Sequence, residues 1–209
     1  MTLTTTTTPI RPANQKRRIA TLRLAFAALL PMILFTQSRW IAVPAVADLL
    51  ETLGILAILA AVLGRFWAIL YIGGRKNAAV MRDGPYSVSR HPLYLFSTIG
   101  AAGFGLMLES VTLAAILGGT AWLILSLTAA REEHFLRNTF GGDYDSYARQ
   151  VPRMLPAWRL FRTSPRVSVE IGTLARNAAD ALVFVGLIPM AELLKWVASL
   201  HALPAVSLF

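Results

Sequence analysis

Long apolar runs separated by short polar stretches set the plan of this chain. Nearly every position is apolar from Ile19 to Gln37, from about Leu49 to Tyr71, from Leu93 to Leu108, from Val111 to Ala130, and from about Leu174 to Leu200. Runs near this length, with no alternation of period two, are the pattern of helices that cross a bilayer. The predicted fold is therefore all-α, a polytopic integral membrane protein of about five transmembrane helices. Only Glu109 and Ser110 part the third run from the fourth, so these two form an antiparallel helical hairpin. Gly100, Gly103 and Gly105 on one arm, and Gly118 and Gly119 on the other, would let the backbones approach closely. Pro31 inside the first run can kink a membrane helix without ending it.

The polar stretches divide the rest. Residues 1–18 combine a threonine run, two prolines and a basic end, and read as a disordered cytoplasmic tail. Residues 19–171 form the membrane domain, and 172–209 a C-terminal transmembrane extension whose Asp180 and Glu192 make it the most polar of the spans. Trp40 and Trp67 suit interface anchors, and Arg65 can snorkel. After the hairpin, Leu136 and Phe140, then Tyr144, Tyr147 and Val151, recur at helical spacing around Gly141 and Gly142. This predicts two short amphipathic surface helices, with Asp143 as the N-cap of the second.

Charge then orients the chain. A net charge of +9 would suit nucleic acid if it lay on one solvated domain, but the basic residues are spread by segment, so no nucleic-acid partner is expected. Sixteen of them fall in the tail, the loop before the hairpin and residues 131–176, against Arg39 and Lys195 on the other side. The positive-inside rule places the amino terminus and those polar segments in the cytoplasm, at the plasma membrane if the source is bacterial. The chain has no cysteine, and His91, His134 and His201 lie far apart, so no metal site is expected.

Two polar clusters bracket the hairpin: Arg90 and His91 at its entry, Arg131, Glu132 and Glu133 at its exit. An antiparallel pair brings them to one depth, where ionisable groups need a partner or a ligand. Together they offer a guanidinium for a carboxylate, carboxylates for hydroxyls or an amine, and Tyr86, Tyr94, Tyr144 and Tyr147 for stacking, which are the groups a zwitterionic nucleoside requires. The plainer alternative is that these residues anchor helix ends, with the glutamates paired to Arg131 or Arg137. No Ser, Cys or Asp constellation accompanies His91, and His134 and His201 read as bystanders.

The ordered set GPYSVSRHPLY, a hydrophobic hairpin, EE and then FGGDYDSYARQVPRMLP resembles the isoprenylcysteine carboxyl methyltransferases and their phospholipid methyltransferase relatives, over about residues 71–156. The resemblance implies an integral membrane enzyme that uses S-adenosylmethionine on a lipophilic or small apolar acceptor, with the lipid bilayer as its setting and no soluble dinucleotide-binding domain. Cofactor contacts would fall on Tyr71, Ala78, Ala79, Val80, Met81, Tyr86, His91, Pro92, Leu93, Tyr94 and Glu132, and Arg90, Glu132 and Glu133 would be the catalytic groups. The arginine that holds the substrate carboxylate in the carboxyl methyltransferases falls here on Thr128, which leaves Arg131 or Arg153 to replace it. A prenylcysteine carboxylate is thus an unexpected acceptor, and a neutral or amine-bearing lipid or a small hydrophobic thiol an expected one, with Glu133 available to a cationic headgroup. Two competing readings are a non-enzymatic membrane scaffold or small-solute pathway, and a nicotinamide-dependent reductase, for which no pyrophosphate cradle is visible.

Overall fold

The computed structural model describes residues 15–38, 43–72, 79–167, 169, 171–199 and 206–208. Eight α-helices account for most of them: α1 (Gln15–Phe35), α2 (Pro44–Ile72), α3 (Pro85–Val88), α4 (Pro92–Met107), α5 (Val111–Phe140), α6 (Gly142–Gln150), α7 (Ile171–Leu182) and α8 (Leu187–Ser199). Among the described residues a 3-10 turn occupies Trp158–Leu160. Two three-residue strands, β1 (Thr36–Ser38) and β2 (Val206–Leu208), pair in parallel and join the end of α1 to the C-terminal stretch, so the described residues are all-α apart from this pair.

Helices α2 and α5 are long and apolar enough to cross a membrane, while Ile19–Phe35 of α1 and all of α4 are shorter apolar helices. Pro31 stays inside α1, as expected. The expected fifth span differs: the run near 174–200 is two helices of 12 and 13 residues, broken by turns between Leu182 and Leu187. At 1.5 Å per residue each covers roughly 20 Å, less than the roughly 30 Å of a bilayer core. Pro189 explains the break. It has no N–H for the carbonyl of Val185, and its ring would crowd that carbonyl, so a continuous helix fails there and a new one starts with Pro189 in its first turn. Phe184, inside the break, lies under the Arg65 guanidinium at 5.3 Å. At the far end Lys195 reaches Glu51 at 2.7 Å and Glu192 at 2.9 Å, with Glu109 of the hairpin turn at 3.7 Å.

Helix α4 packs between α2 and α5. The glycines expected to serve the hairpin divide their work. Gly105 lies against the Ala114 backbone and Gly118 against Ala102, within the hairpin. Gly103 instead faces Ala57 and Ile58 of α2, where Gly54 gives the reciprocal close approach, and Gly100 faces Phe184. Gly119 meets nothing. Around these contacts Ile33, Ile58, Phe104, Met107, Leu113, Leu117 and Ala191 form the main core. The hairpin link is tight: Glu109 adopts φ 56, and the Ser110 hydroxyl caps α5 by accepting from the Leu113 N–H at 3.2 Å.

Beyond the apolar part of α5 the helix does not stop. The first of the two expected amphipathic helices is its continuation to Phe140, because nothing between Ala130 and Phe140 breaks a helix; the break comes at Gly141, whose φ of 53 suits glycine. Gly141 also occupies the N-cap position of α6, so Asp143 is not the cap but sits in the first turn, where its charge favours the helix dipole.

Candidate functional site

The continuation of α5 carries Glu132 and Glu133 past the apolar region, and the loop before α4 carries Arg90 and His91 to meet them. That loop is shaped by its own residues. Gly84 takes φ 59 with the Tyr71 ring packed where a β-carbon would stand, so only glycine fits. Pro85 then opens the single-turn helix α3, and Pro92 opens α4 with His91 at the N-cap. A residue before proline avoids the helical region, which keeps His91 out of the helix; with Ser89 extended and Arg90 in a bend, the N–H groups of Arg90 and His91 need acceptors elsewhere. Residues after α6 supply them. Arg90 N–H donates to the Pro152 carbonyl at 2.9 Å and His91 N–H to the Arg153 carbonyl at 3.0 Å, while the Ser89 hydroxyl donates to the Met154 carbonyl at 3.0 Å. In return Ala157 N–H donates to the Val88 carbonyl at 2.9 Å.

Glu133 is the hub, with only 1% of its side chain exposed. Arg153 grips it with both prongs, Nε to Oε1 at 3.0 Å and Nη2 to Oε2 at 2.9 Å, the bidentate geometry in which guanidinium and carboxylate match best. Arg90 Nη1 lies 3.4 Å and His91 Nε2 3.3 Å from the same Oε1. His91 Nδ1 is 3.8 Å from Glu132 Oε2, so the imidazole stands between the two carboxylates. Its ring stacks on Tyr94, 5.3 Å between centroids and 3° from parallel. The Arg153 guanidinium is held firmly protonated, its pKa raised by the hydrogen bonds it donates to Glu133.

Tyrosines close the site from the α6 side. Tyr144 and Tyr147 are buried and meet edge to face at 6.0 Å, over Val80, Leu136, Phe140 and Val151. Burial pushes the Tyr144 phenol up to about 12 and raises those of Tyr147 and Tyr86, so all three stay protonated donors. The Tyr144 hydroxyl stands beside the Arg90 guanidinium, and the buried Tyr86 hydroxyl has no hydrogen-bond partner among the described residues.

The structure thus brings Arg90, His91, Pro92, Leu93, Tyr94, Glu132, Glu133 and Arg153 to one end of the hairpin, with Tyr86 on the same loop. Val80 joins the tyrosine cluster, Met81 is half-buried beside it in sequence, and Ala79 is exposed. Tyr71 stands at the end of α2, its hydroxyl 2.6 Å from that of Thr163. Ala78 and His201 lie outside the described residues. Thr128 is half-buried one turn before Glu132, and its hydroxyl donates to the Ile124 carbonyl at 2.8 Å. Arg131 is exposed, and the side chains that meet Glu133 are those of Arg90, His91 and Arg153. His134 points out beside Asn138. Among the described residues no group of three or more His, Asp or Glu side chains is placed to hold a metal ion. Sequence reasoning missed the acceptors at residues 152–154, for which the two prolines of VPRMLP, marking an extended segment, were the available signal.

Comparison with known proteins bears on this region and beyond it. The family model for phospholipid methyltransferases matches residues 45–143. Over nearly its whole length the chain is similar to the nickel-cobalt-cadmium resistance protein NccN of Alcaligenes xylosoxydans xylosoxydans, 35% identical over 202 residues that cover 94% of each chain. It is also similar to the cobalt-zinc-cadmium resistance protein CzcN of Cupriavidus metallidurans, 37% identical over 177 residues, 85% of this chain and 81% of the relative. A shorter likeness, 31% over 91 residues, covers 44% of this chain and 46% of the protein-S-isoprenylcysteine O-methyltransferase B of Arabidopsis thaliana. No solved structure matches.

Proposed function

Since the chain belongs to the same family as NccN and CzcN, and its residues 45–143 match the phospholipid methyltransferases, we propose that it is an integral membrane methyltransferase. It uses S-adenosylmethionine on a lipophilic or small apolar acceptor, with the site on the cytoplasmic side. The observation that supports this reading is the convergence of Arg90, His91, Glu132, Glu133 and Arg153 at one end of the hairpin, with the buried Tyr86 hydroxyl on the same loop left without a hydrogen-bond partner among the described residues. Folded proteins seldom leave such an atom without a partner, and a polar ligand with donors and acceptors would satisfy it.

The residues fit the cofactor on chemical grounds. Tyr86, His91, Pro92, Leu93 and Tyr94 would line it, Glu132 would receive its hydroxyls or amine, and Tyr71 with residues 78–81 would close the upstream side. Bound there, S-adenosylmethionine supplies an electrophilic methyl group on a sulfonium. What the chain contributes is position: Glu133 and Arg153 fix Arg90 and His91, and the tyrosines exclude water, so that the acceptor meets the site in one orientation. Glu133 is engaged by three cationic or basic side chains and is 1% exposed, which makes it a poor partner for a lipid headgroup; Glu132, at 21% exposure, is the more accessible carboxylate. Thr128 spends its hydroxyl on its own helix, and Arg153 is committed to Glu133. A carboxylate acceptor therefore finds no ready guanidinium among the three expected positions except exposed Arg131, and a neutral or amine-bearing lipid or a small hydrophobic thiol is the better acceptor.

Calorimetry with S-adenosylmethionine on detergent-solubilised, folded protein tests the reading. Micromolar binding in the wild type, lost in His91→Ala and Glu132→Ala, is expected. No binding up to the millimolar range would overturn it.

A second reading rests on the names of the two full-length relatives, both of which refer to resistance to divalent metals. In it the chain serves metal resistance as a non-enzymatic membrane component. Complementing a metal-sensitive deletion strain separates the two: resistance restored by an Arg90→Ala, His91→Ala, Glu132→Ala triple variant favours the accessory role, and resistance restored only by the wild type favours the enzyme.

A further inference from the structure

Helix α3 is one turn long, and a helix so short cannot satisfy its own carbonyls. The natural donor to the Tyr86 carbonyl would be the N–H of Arg90, but that N–H is given to Pro152. The Tyr147 hydroxyl takes its place, donating to the Tyr86 carbonyl at 2.7 Å from α6, a helix 61 residues further along the chain. Both partners are buried, Tyr147 at 4% exposure and Tyr86 at 5%.

We infer that Tyr147 is a positioning residue for the site: by capping α3 from α6 it fixes the Tyr86 ring and the direction in which the chain leaves for Arg90 and His91. The inference rests on the cofactor reading above only for its functional consequence. Four observations converge on it. Among the described residues the Tyr86 carbonyl accepts no backbone N–H outside α3's own turn, and the phenol of Tyr147 caps it. Burial raises the Tyr147 pKa, which keeps the phenol a donor at every working pH. The Tyr144 ring braces Tyr147 edge to face, so its position is set by packing and not by the hydrogen bond alone. Finally, the residues just beyond α6 hold the other end of the same loop through the Pro152 and Arg153 carbonyls, so α6 and its exit form one frame around Tyr86 to His91. The sequence offers other residues that brace this loop, such as Ser87, whose hydroxyl accepts from the Arg162 N–H at 3.0 Å. Tyr147 differs in acting on the backbone of a residue that lines the site.

The test is Tyr147→Phe, which keeps the ring and its packing and removes one hydroxyl. Two measurements on the full-length protein are read together. Hydrogen exchange over residues 85–95 should accelerate about tenfold, the equivalent of one buried hydrogen bond, while exchange in the middle of α5 stays within about twofold of wild type. In parallel, the KM for S-adenosylmethionine should rise about tenfold with kcat changed by less than about threefold, because the binding surface is loosened and the reacting groups are unaltered. A merely structural role would lower the folded fraction without this split. Unchanged exchange over 85–95 overturns the inference whether or not the protein binds the cofactor. If exchange accelerates and the wild type binds no cofactor, it is the methyltransferase reading that fails, and the positioning of the loop by Tyr147 stands.

Discussion

Replacing Glu133 by glutamine removes one charge from the centre of the site at almost constant volume. In the wild type the carboxylate is buried and faces Arg153 through two hydrogen bonds, Arg90 at 3.4 Å and His91 at 3.3 Å. Breaking a fully buried ion pair by removing one partner costs roughly 3–5 kcal/mol, because the remaining charge is left without compensation. That upper figure needs reducing here. Arg153 is 43% exposed and can return to water, so its share falls toward the 1 kcal/mol or less of a surface pair. Arg90 is only 11% exposed and cannot, so most of the penalty stays with it. The expected loss is about 3 kcal/mol, which for a chain of this size lowers Tm by roughly 6–12 °C. Thermal unfolding of the purified protein in detergent, followed by intrinsic tryptophan fluorescence, reads it directly. The companion variant Arg153→Gln should cost less, about 1 kcal/mol, since it leaves Glu133 with Arg90 and His91. A Glu133→Gln shift under about 2 °C, or a larger loss from Arg153→Gln, would refute the assignment of Glu133 as the hub.

Three further outcomes follow from other parts of the molecule. Gly54→Ala places a β-carbon 2.5 Å from the Met107 amide nitrogen, so α2 and α4 must separate, and a loss of about 2 kcal/mol or more, seen as aggregation during size-exclusion chromatography, is expected. The raised Tyr144 phenol predicts an alkaline limb: the unfolded phenol ionises from about pH 10 whereas the folded one holds its proton to about 12, so its stabilising contribution is complete below pH 10 and is lost as pH rises toward 12. The fall in Tm between pH 9.5 and 11.5 should be shallower in Tyr144→Phe, and equal slopes would contradict the burial of this phenol. Because the chain has no cysteine of its own, Val111→Cys at the hairpin link and Thr163→Cys beyond α6, both exposed positions, can be labelled singly with an impermeant thiol reagent. Labelling from opposite faces is expected, and labelling from the same face would rule out the hairpin as a crossing pair.

By itself the sequence determined where the apolar helices lie and which charges stand at their ends, because burial of uncompensated polar groups in a bilayer is so unfavourable that the pattern of apolar runs has little freedom. The two-residue link at Glu109 and Ser110 likewise left no arrangement but an antiparallel pair, and so placed Arg90 and His91 near the glutamates. The break near Val185 was also written in the chain, at Pro189, but a count of apolar residues does not register a missing N–H. Tertiary structure alone decided the rest. Glu132 and Glu133 are adjacent and about 100° apart around α5, and only the rotation of that helix against α4 made one a buried hub and left the other half-exposed. Which glycines faced α2 and which faced the other hairpin arm depended on the same rotation. The frame that residues 147–157 build around the loop from Val88 to His91 is made largely of backbone carbonyls and N–H groups, which nearly every residue possesses, and it could be recognised only once the fold had brought them within hydrogen-bonding distance.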